Sequence, residues 1–98
     1  MTVNFRDVPV VEKEIINQLS FPPLEVLENR ESIKERLFAL HRATSLGNLS
    51  KHKVTIVFED SESLKKVCTT IWAMTDRKIL LKAGRSIPIS RIHSVIIT

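Results

Sequence analysis

The spacing of apolar residues changes once along the chain. Over residues 30–46 apolar side chains recur every three or four positions, as at Ile33, Leu37 and Leu40, with charged residues between them. That period places them on one face of an α-helix. Gly47 follows at a position where helices often end in a left-handed residue. We therefore predict a helix over residues 30–46.

From residue 53 onward the apolar period shortens to two. Val54, Ile56 and Phe58 alternate with other residues, which is typical of a strand with one buried face. Similar apolar runs cover residues 64–75, 78–83, 86–89 and 92–97. We predict an α+β fold in which one or two N-terminal helices precede a strongly bent antiparallel meander of four to five strands. We expect Phe58 to lie in the core.

The segment before the long helix is predicted to be a separate N-terminal arm over residues 1–28. Apolar residues four apart within residues 11–19 favour a short helix, and prolines in residues 21–23 end it, because proline has no N–H to donate. The next residues form a strap across an apolar surface, either the chain's own core or that of a partner. The main domain is then residues 29–98.

Composition limits the class of protein. The chain has 98 residues, 43% of them hydrophobic, which suffices for one domain with one core. No apolar run approaches the roughly 20 residues that span a bilayer, and the first residues lack the pattern of a secretory signal. The single cysteine, Cys68, agrees with a reducing compartment. We expect a cytoplasmic protein without a membrane contact.

The residues of common catalytic and metal sites are not grouped in recognisable motifs. The three histidines lack metal-ligand spacing, and Cys68 has no basic partner in the pattern that would make it a nucleophile. Both glycines have turn or cap roles, so no phosphate-binding loop is present. We predict no catalytic residues, no metal and no cofactor, and we expect that the protein is not an enzyme.

The charge is unevenly distributed. Residues 1–32 hold three basic and six acidic side chains, whereas residues 33–98 hold twelve basic and five acidic ones, and the whole chain has a net charge of +4. A basic body can bind a polyanion such as nucleic acid, or it can be solvated surface. The candidate contacts are Lys65, Lys66, Arg77, Lys78, Lys82, Arg85 and Arg91. Two further lysines, Lys51 and Lys53, precede the first strand and are not assigned to this set. Few aromatic residues are present for base stacking.

Apolar residues outside the predicted core indicate an interface with another protein. The candidates are Phe21, Leu24, Trp72, Met74 and Ile96. The apolar last strand is an edge that can pair with a second chain, so self-association is one form of this hypothesis. Our leading hypothesis is therefore a non-catalytic protein–protein interaction module, and the alternative is a weak, largely non-specific RNA- or DNA-binding protein.

Three segments carry a resemblance to known proteins. Residues 69–75 (TTIWAMT), 79–84 (ILLKAG) and 86–92 (SIPISRI) resemble short bacterial proteins of the Bacteroidetes type, whose function is unknown, and the likeness extends over residues 53–97. More loosely, the meander that ends in residues 87–92 is similar to SH3-like and Sm-like barrels, although it lacks an Asp-Gly pair after the first strand. The first resemblance transfers no functional residue, because no activity is assigned to that group, and the second implies a small barrel without implying a function.

Overall fold

The computed structural model describes residues 5–98, and the α+β class is confirmed. One long helix, α1, precedes six strands in this part of the chain. Helix α1 is Arg30–Ser50, and the strands are β1 Val54–Glu59, β2 Leu64–Thr69, β3 Ile71–Met74, β4 Lys78–Leu81, β5 Ser86–Pro88 and β6 Ile92–Ile96. Short 3₁₀ turns occupy Phe5–Asp7, Lys13–Gln18, Lys82–Gly84 and Ile89–Arg91.

The strands of the described chain pair as two antiparallel sheets of three strands each, and no closed barrel forms. The orders are β2-β1-β6 and β3-β4-β5. The predicted long strand over residues 64–75 is in fact two strands, because the chain leaves the first sheet at Thr70 and enters the second. The Thr70 hydroxyl donates to the Lys51 carbonyl at 3.2 Å. This side-chain bond satisfies the helix end at the point where the strand pair breaks.

Both sheets and the helix share one core. Phe58 of β1, Ile71 of β3, Ile79 of β4 and Leu40 of α1 are fully buried in a single apolar cluster. The alternation in β1 is thus confirmed, and Phe58 is a core residue.

Helix α1 extends one turn past its predicted end. It continues to Ser50 and is capped by Lys51 in the left-handed conformation, with φ of 55°. Gly47 lies inside the helix and is buried, and a Cβ there would lie 2.2 Å from the Ile71 carbonyl oxygen. The prediction that Gly47 ends the helix is wrong, since this glycine instead allows the helix to approach β3.

The buried face of α1 is also rotated from the predicted one. Leu40 and Ala43 are fully buried, whereas Leu37 is 44% and Phe38 73% exposed. Small residues of the helix form the close contact with the sheet. The hydrophobic period alone does not show whether these small residues or the large ones beside them face the core.

The N-terminal arm packs on the domain's own core. The predicted helix over residues 11–19 is a 3₁₀ turn at Lys13–Gln18 that buries Ile16. The Phe21 ring lies 6.0 Å from the Phe58 ring, centroid to centroid. Of the two surfaces left open for the strap, the chain's own core is therefore the one contacted by Phe21.

Backbone hydrogen bonds join the arm to the edge of β2. The Val11 N–H donates to the Lys66 carbonyl at 2.8 Å, and the Lys66 N–H donates to the Pro9 carbonyl at 2.9 Å. The arm thus covers an edge that would otherwise present unpaired backbone groups.

Candidate functional site

Lys65 and Lys66, two of the seven predicted basic contacts, have their ammonium groups bound to partners within the molecule. The Lys65 ammonium lies 2.7 Å from the Asp60 carboxylate, and both side chains are largely buried. The Lys66 ammonium donates to the Phe5 carbonyl at 3.1 Å. A ligand phosphate would have to displace these partners, so neither lysine is part of an open anion site.

Asp60 explains why Lys65 points inward. Its Oδ1 atom accepts the N–H groups of Glu62 and Ser63 at 2.8 and 2.9 Å, which closes the turn between β1 and β2. Burial by itself raises the pKa of Asp60, but the hydrogen bonds from Lys65 and the two N–H groups outweigh it and hold the pKa below its ordinary value of 3.8. Asp60 is a charged structural residue.

Arg91 is a structural residue as well. It is 5% exposed, and its guanidinium donates to three carbonyls, those of Glu59 at 2.9 Å, Leu24 at 2.7 Å and Asp60 at 3.2 Å. These bonds join the arm to the end of β1. Because the side chain is buried with its donors engaged, it does not offer a surface contact for nucleic acid.

A second buried guanidinium, that of Arg36 in α1, binds the arm through Glu25. Its two terminal nitrogens each lie 2.6 Å from a Glu25 carboxylate oxygen, and one of them also donates to the Ile92 carbonyl at 3.1 Å. The hydrogen bond from Arg36 is the largest cause that lowers the pKa of Glu25. The pair is a bidentate ion pair between arm and helix.

The other four predicted basic contacts lie near the surface. Arg77 and Lys78 are exposed at the turn between β3 and β4, and Lys82 is exposed just after β4. Arg85 is half-buried and donates to the Ala83 carbonyl at 3.2 Å. Of these four, Lys82 borders a cavity rich in lysine.

That cavity, which we call the lysine cleft, is the most distinctive polar site of the described chain. It has a volume of about 350 Å³. Its lining residues are Lys13, Lys51, Lys53, Cys68, Thr69, Thr70, Trp72 and Lys82. The four lysines come from the arm, the helix end, the start of β1 and the turn after β4. None of them has an ion-pair partner among residues 5–98, and no acidic side chain there lines the cleft.

The lysine cleft holds positive charge equal to the net charge of the whole protein. The chain has 15 basic and 11 acidic side chains. With the four cleft lysines set aside, the remaining basic and acidic residues cancel. A concentrated positive field in a concave site attracts anions and raises their local concentration.

Local backbone geometry positions the cleft residues. Lys51 has φ of 55° and Ala83, next to Lys82, has φ of 64°. These are the two non-glycine residues of the described chain with positive φ, a conformation that costs L-residues about 1–2 kcal/mol. Such strain persists where the surrounding structure imposes it, and here it occurs at one cleft residue, Lys51, and at the neighbour of another, Lys82.

Trp72 is displayed at the cleft by an irregularity in β3. The register with β4 shifts between Ile71 and Ala73, so Trp72 has no partner opposite it. Its side chain is 51% exposed. Bulges of this kind redirect a side chain beside functional sites, and a half-exposed tryptophan provides an aromatic face to a ligand.

The predicted protein-contact residues are scattered. Phe21 packs against the core, and Met74 is partly buried against it. Leu24 is 71% and Ile96 40% exposed, and they lie on the arm and on β6 rather than at the cleft. Trp72 is the one member of this predicted set that borders the lysine cleft.

Other cavities of the described chain lie away from the lysine cleft. A wider groove of about 500 Å³ runs beside Phe21, Pro22 and Pro88. No group of three or more His, Cys, Asp or Glu side chains in residues 5–98 could hold a metal ion. Although α1 is long, no helix of this part of the chain is apolar enough to cross a membrane.

Sequence reasoning did not assign Lys13, Lys51 and Lys53 to a site. Lys51 and Lys53 stood out as basic residues before β1, but no sequence signal brings Lys13 of the arm to them. The chain matches no protein-family model, no curated protein and no solved structure.

Proposed function

We propose that the protein binds nucleic acid, with the lysine cleft as the contact site. The observation that carries this proposal is the cluster of four unpaired lysines around a cavity that no described acidic residue lines. Lysine ammonium groups bind phosphate as point charges, and such contacts supply most of the affinity of non-specific nucleic-acid binding. Residues that read base edges are not evident here, so the binding is weak and largely non-specific.

The salt dependence of binding tests the proposal. Each phosphate neutralised contributes a slope of about −0.7 for a single strand and −0.9 for a duplex in log K against log salt. Four lysine contacts therefore give a slope of at most about −2.8 or −3.6. We expect fluorescence anisotropy of a labelled oligonucleotide to show this slope, and Lys53→Gln and Lys82→Gln each to flatten it by about 0.7–0.9.

Lys34→Gln is the matched control. Lys34 is exposed near the start of α1, about 25 Å along the helix from Lys51 at 1.5 Å per residue, and its replacement removes the same charge. If Lys34→Gln flattens the slope as much as Lys53→Gln, binding is diffuse and the cleft is not the site. No binding at low salt, or equal binding of poly-glutamate, would overturn the proposal itself.

We also propose that the two sheets together form a strongly bent, open small barrel of the SH3-like or Sm-like kind, in which the strands do not close into a continuous ring. The chain runs from the first sheet directly into the second at Thr70, and β1 pairs with both β2 and β6. The short 3₁₀ turn Ile89–Arg91 leads into the last strand. These features support the barrel proposal, and the unpaired Cys68 thiol supports an origin in the cytoplasm.

A protein–protein interaction module is the second candidate. Leu24 and Phe38 are more than two-thirds exposed, and β6 is an edge of its sheet among the described strands. Those features favour an apolar partner or self-association through the last strand. The salt titration separates the candidates, because apolar contacts do not weaken as salt rises.

A further inference from the structure

We infer that the lysine cleft takes single-stranded nucleic acid, with one unpaired base stacked on Trp72 and the adjoining phosphates on the lysines. The inference rests on the proposed function and adds the form of nucleic acid that the site accepts. It follows from the position of Trp72 among the cleft lysines.

The first argument is the exposure of the aromatic face. Trp72 is half-exposed, and the bulge in β3 removes the cross-strand neighbour that would cover it. Covering such a large apolar side chain with a flat ligand removes apolar surface from water, which is favourable. Because the tryptophan lies beside a cluster of lysines, the suitable ligand is both flat and anionic. Nucleotides have this combination, because every base has a π-face and every unit has a phosphate.

The second argument is size and access. The cleft volume of about 350 Å³ lies at the small end of the roughly 300–1,000 Å³ of ligand sites. In a duplex the base faces are covered by the neighbouring base pairs, so a side chain cannot stack on them without unstacking the helix. An unpaired base can enter the cleft without that cost.

The third argument is polar complementarity inside the cleft. Thr69 is 3% exposed and lines the cavity, and its hydroxyl has no hydrogen-bond partner among residues 5–98. Unlike the Thr70 hydroxyl, which donates to Lys51, it remains available to a phosphate or sugar oxygen. A hydroxyl donor without a protein partner bonds to water, and a ligand acceptor can take the place of that water.

Intrinsic fluorescence tests the inference without a label. The chain has one tryptophan and no tyrosine, so its emission comes from Trp72 alone. We expect an oligothymidylate to quench this emission and to bind more tightly than an abasic backbone of the same length or a duplex. Anisotropy should show that Trp72→Leu weakens binding of the oligothymidylate by about 5- to 150-fold, whereas Trp72→Phe retains most of the affinity.

Phe38→Leu is the matched control, because Phe38 is an exposed aromatic residue on α1 outside the cleft. It should leave the affinity unchanged, and circular dichroism should show that all three variants are folded. Equal binding of the abasic backbone, the duplex and the oligothymidylate, without quenching, would overturn the stacking inference while nucleic-acid binding stands. No binding of any of the three would overturn the proposed function as well.

Discussion

Gly47→Ala tests the close approach of helix α1 to strand β3. A Cβ at this position would lie 2.2 Å from the Ile71 carbonyl oxygen and 3.0 Å from the Thr70 methyl carbon. Ordinary contacts between non-bonded heavy atoms begin near 3.5 Å. The oxygen belongs to a backbone that pairs with β4 through Leu81, so it cannot simply rotate away. The helix must move outward by about 1 Å or more.

Two opposing effects set the magnitude. Alanine is about 1 kcal/mol more favourable than glycine inside a helix. Overpacking of a well-packed site costs typically 1–3 kcal/mol, and contact with backbone belongs at the upper end of that range. We expect Gly47→Ala to lower the free energy of unfolding by about 1–2 kcal/mol, which corresponds to a fall in Tm of about 5–15 °C for a domain of this size.

Urea and thermal unfolding, followed by circular dichroism, measure the effect. Gly84→Ala is the matched control, because Gly84 has φ of +77° and nothing lies within 4 Å of its added Cβ. In that variant the added Cβ strains the backbone but makes no steric contact, so the free energy of unfolding should fall by about 1 kcal/mol. A Tm for Gly47→Ala equal to or above that of the unaltered protein would refute the reasoning, because it would mean that the helix does not rest against β3 at this residue.

Two other changes give distinct readouts. Lys51→Gly should relieve the left-handed strain at the helix end and raise the free energy of unfolding by about 1 kcal/mol. The same change removes a cleft lysine and should weaken oligonucleotide binding. A loss of stability would show that the helix does not end at Lys51. The pKa of Asp60 is lowered in the folded state, so its contribution to stability is complete above the unfolded-state pKa and disappears as the pH falls through the folded-state pKa. Urea titrations below about pH 4 should therefore show a steeper loss of stability for the unaltered protein than for Asp60→Asn, and parallel curves would contradict this role for Asp60.

The fold class was predictable because the strongest local signals agree with the tertiary structure. The alternation at Val54, Ile56 and Phe58 reflects burial in the core, and the 3.6-residue period before residue 46 indicated the helix, although Leu37 of its predicted apolar face is exposed. The division of residues 64–75 at Thr70 was not predictable, since apolar alternation continues across the bend. Gly47 was misread because a glycine near a helix end has two uses, a left-handed cap or a close contact, and only the packing partner decides between them.

The candidate site was less predictable than the fold. Lys65, Lys82 and Arg91 are equivalent as charges in the sequence, but their partners differ in space. Arg91 donates to the Leu24 carbonyl, which is 67 positions away, and Lys65 pairs with a buried carboxylate. Lys82 has no such partner among the described residues. A count of basic residues therefore overestimates the basic surface. Contacts between residues that are far apart in the sequence determine which basic side chains remain exposed.

The two buried guanidiniums have a consequence for the order in which the chain assembles. The arm is anchored at Ser90, Arg91 and Ile92, through the bond from the Val26 N–H to the Ser90 carbonyl and through the contacts of Arg91 and Arg36. During synthesis the arm leaves the ribosome well before these anchors do. The part of the arm around Leu24 and Val26 can therefore form these bonds only after residues 90–92 are in place, and closure of a loop of more than 60 residues makes this docking a late step of folding.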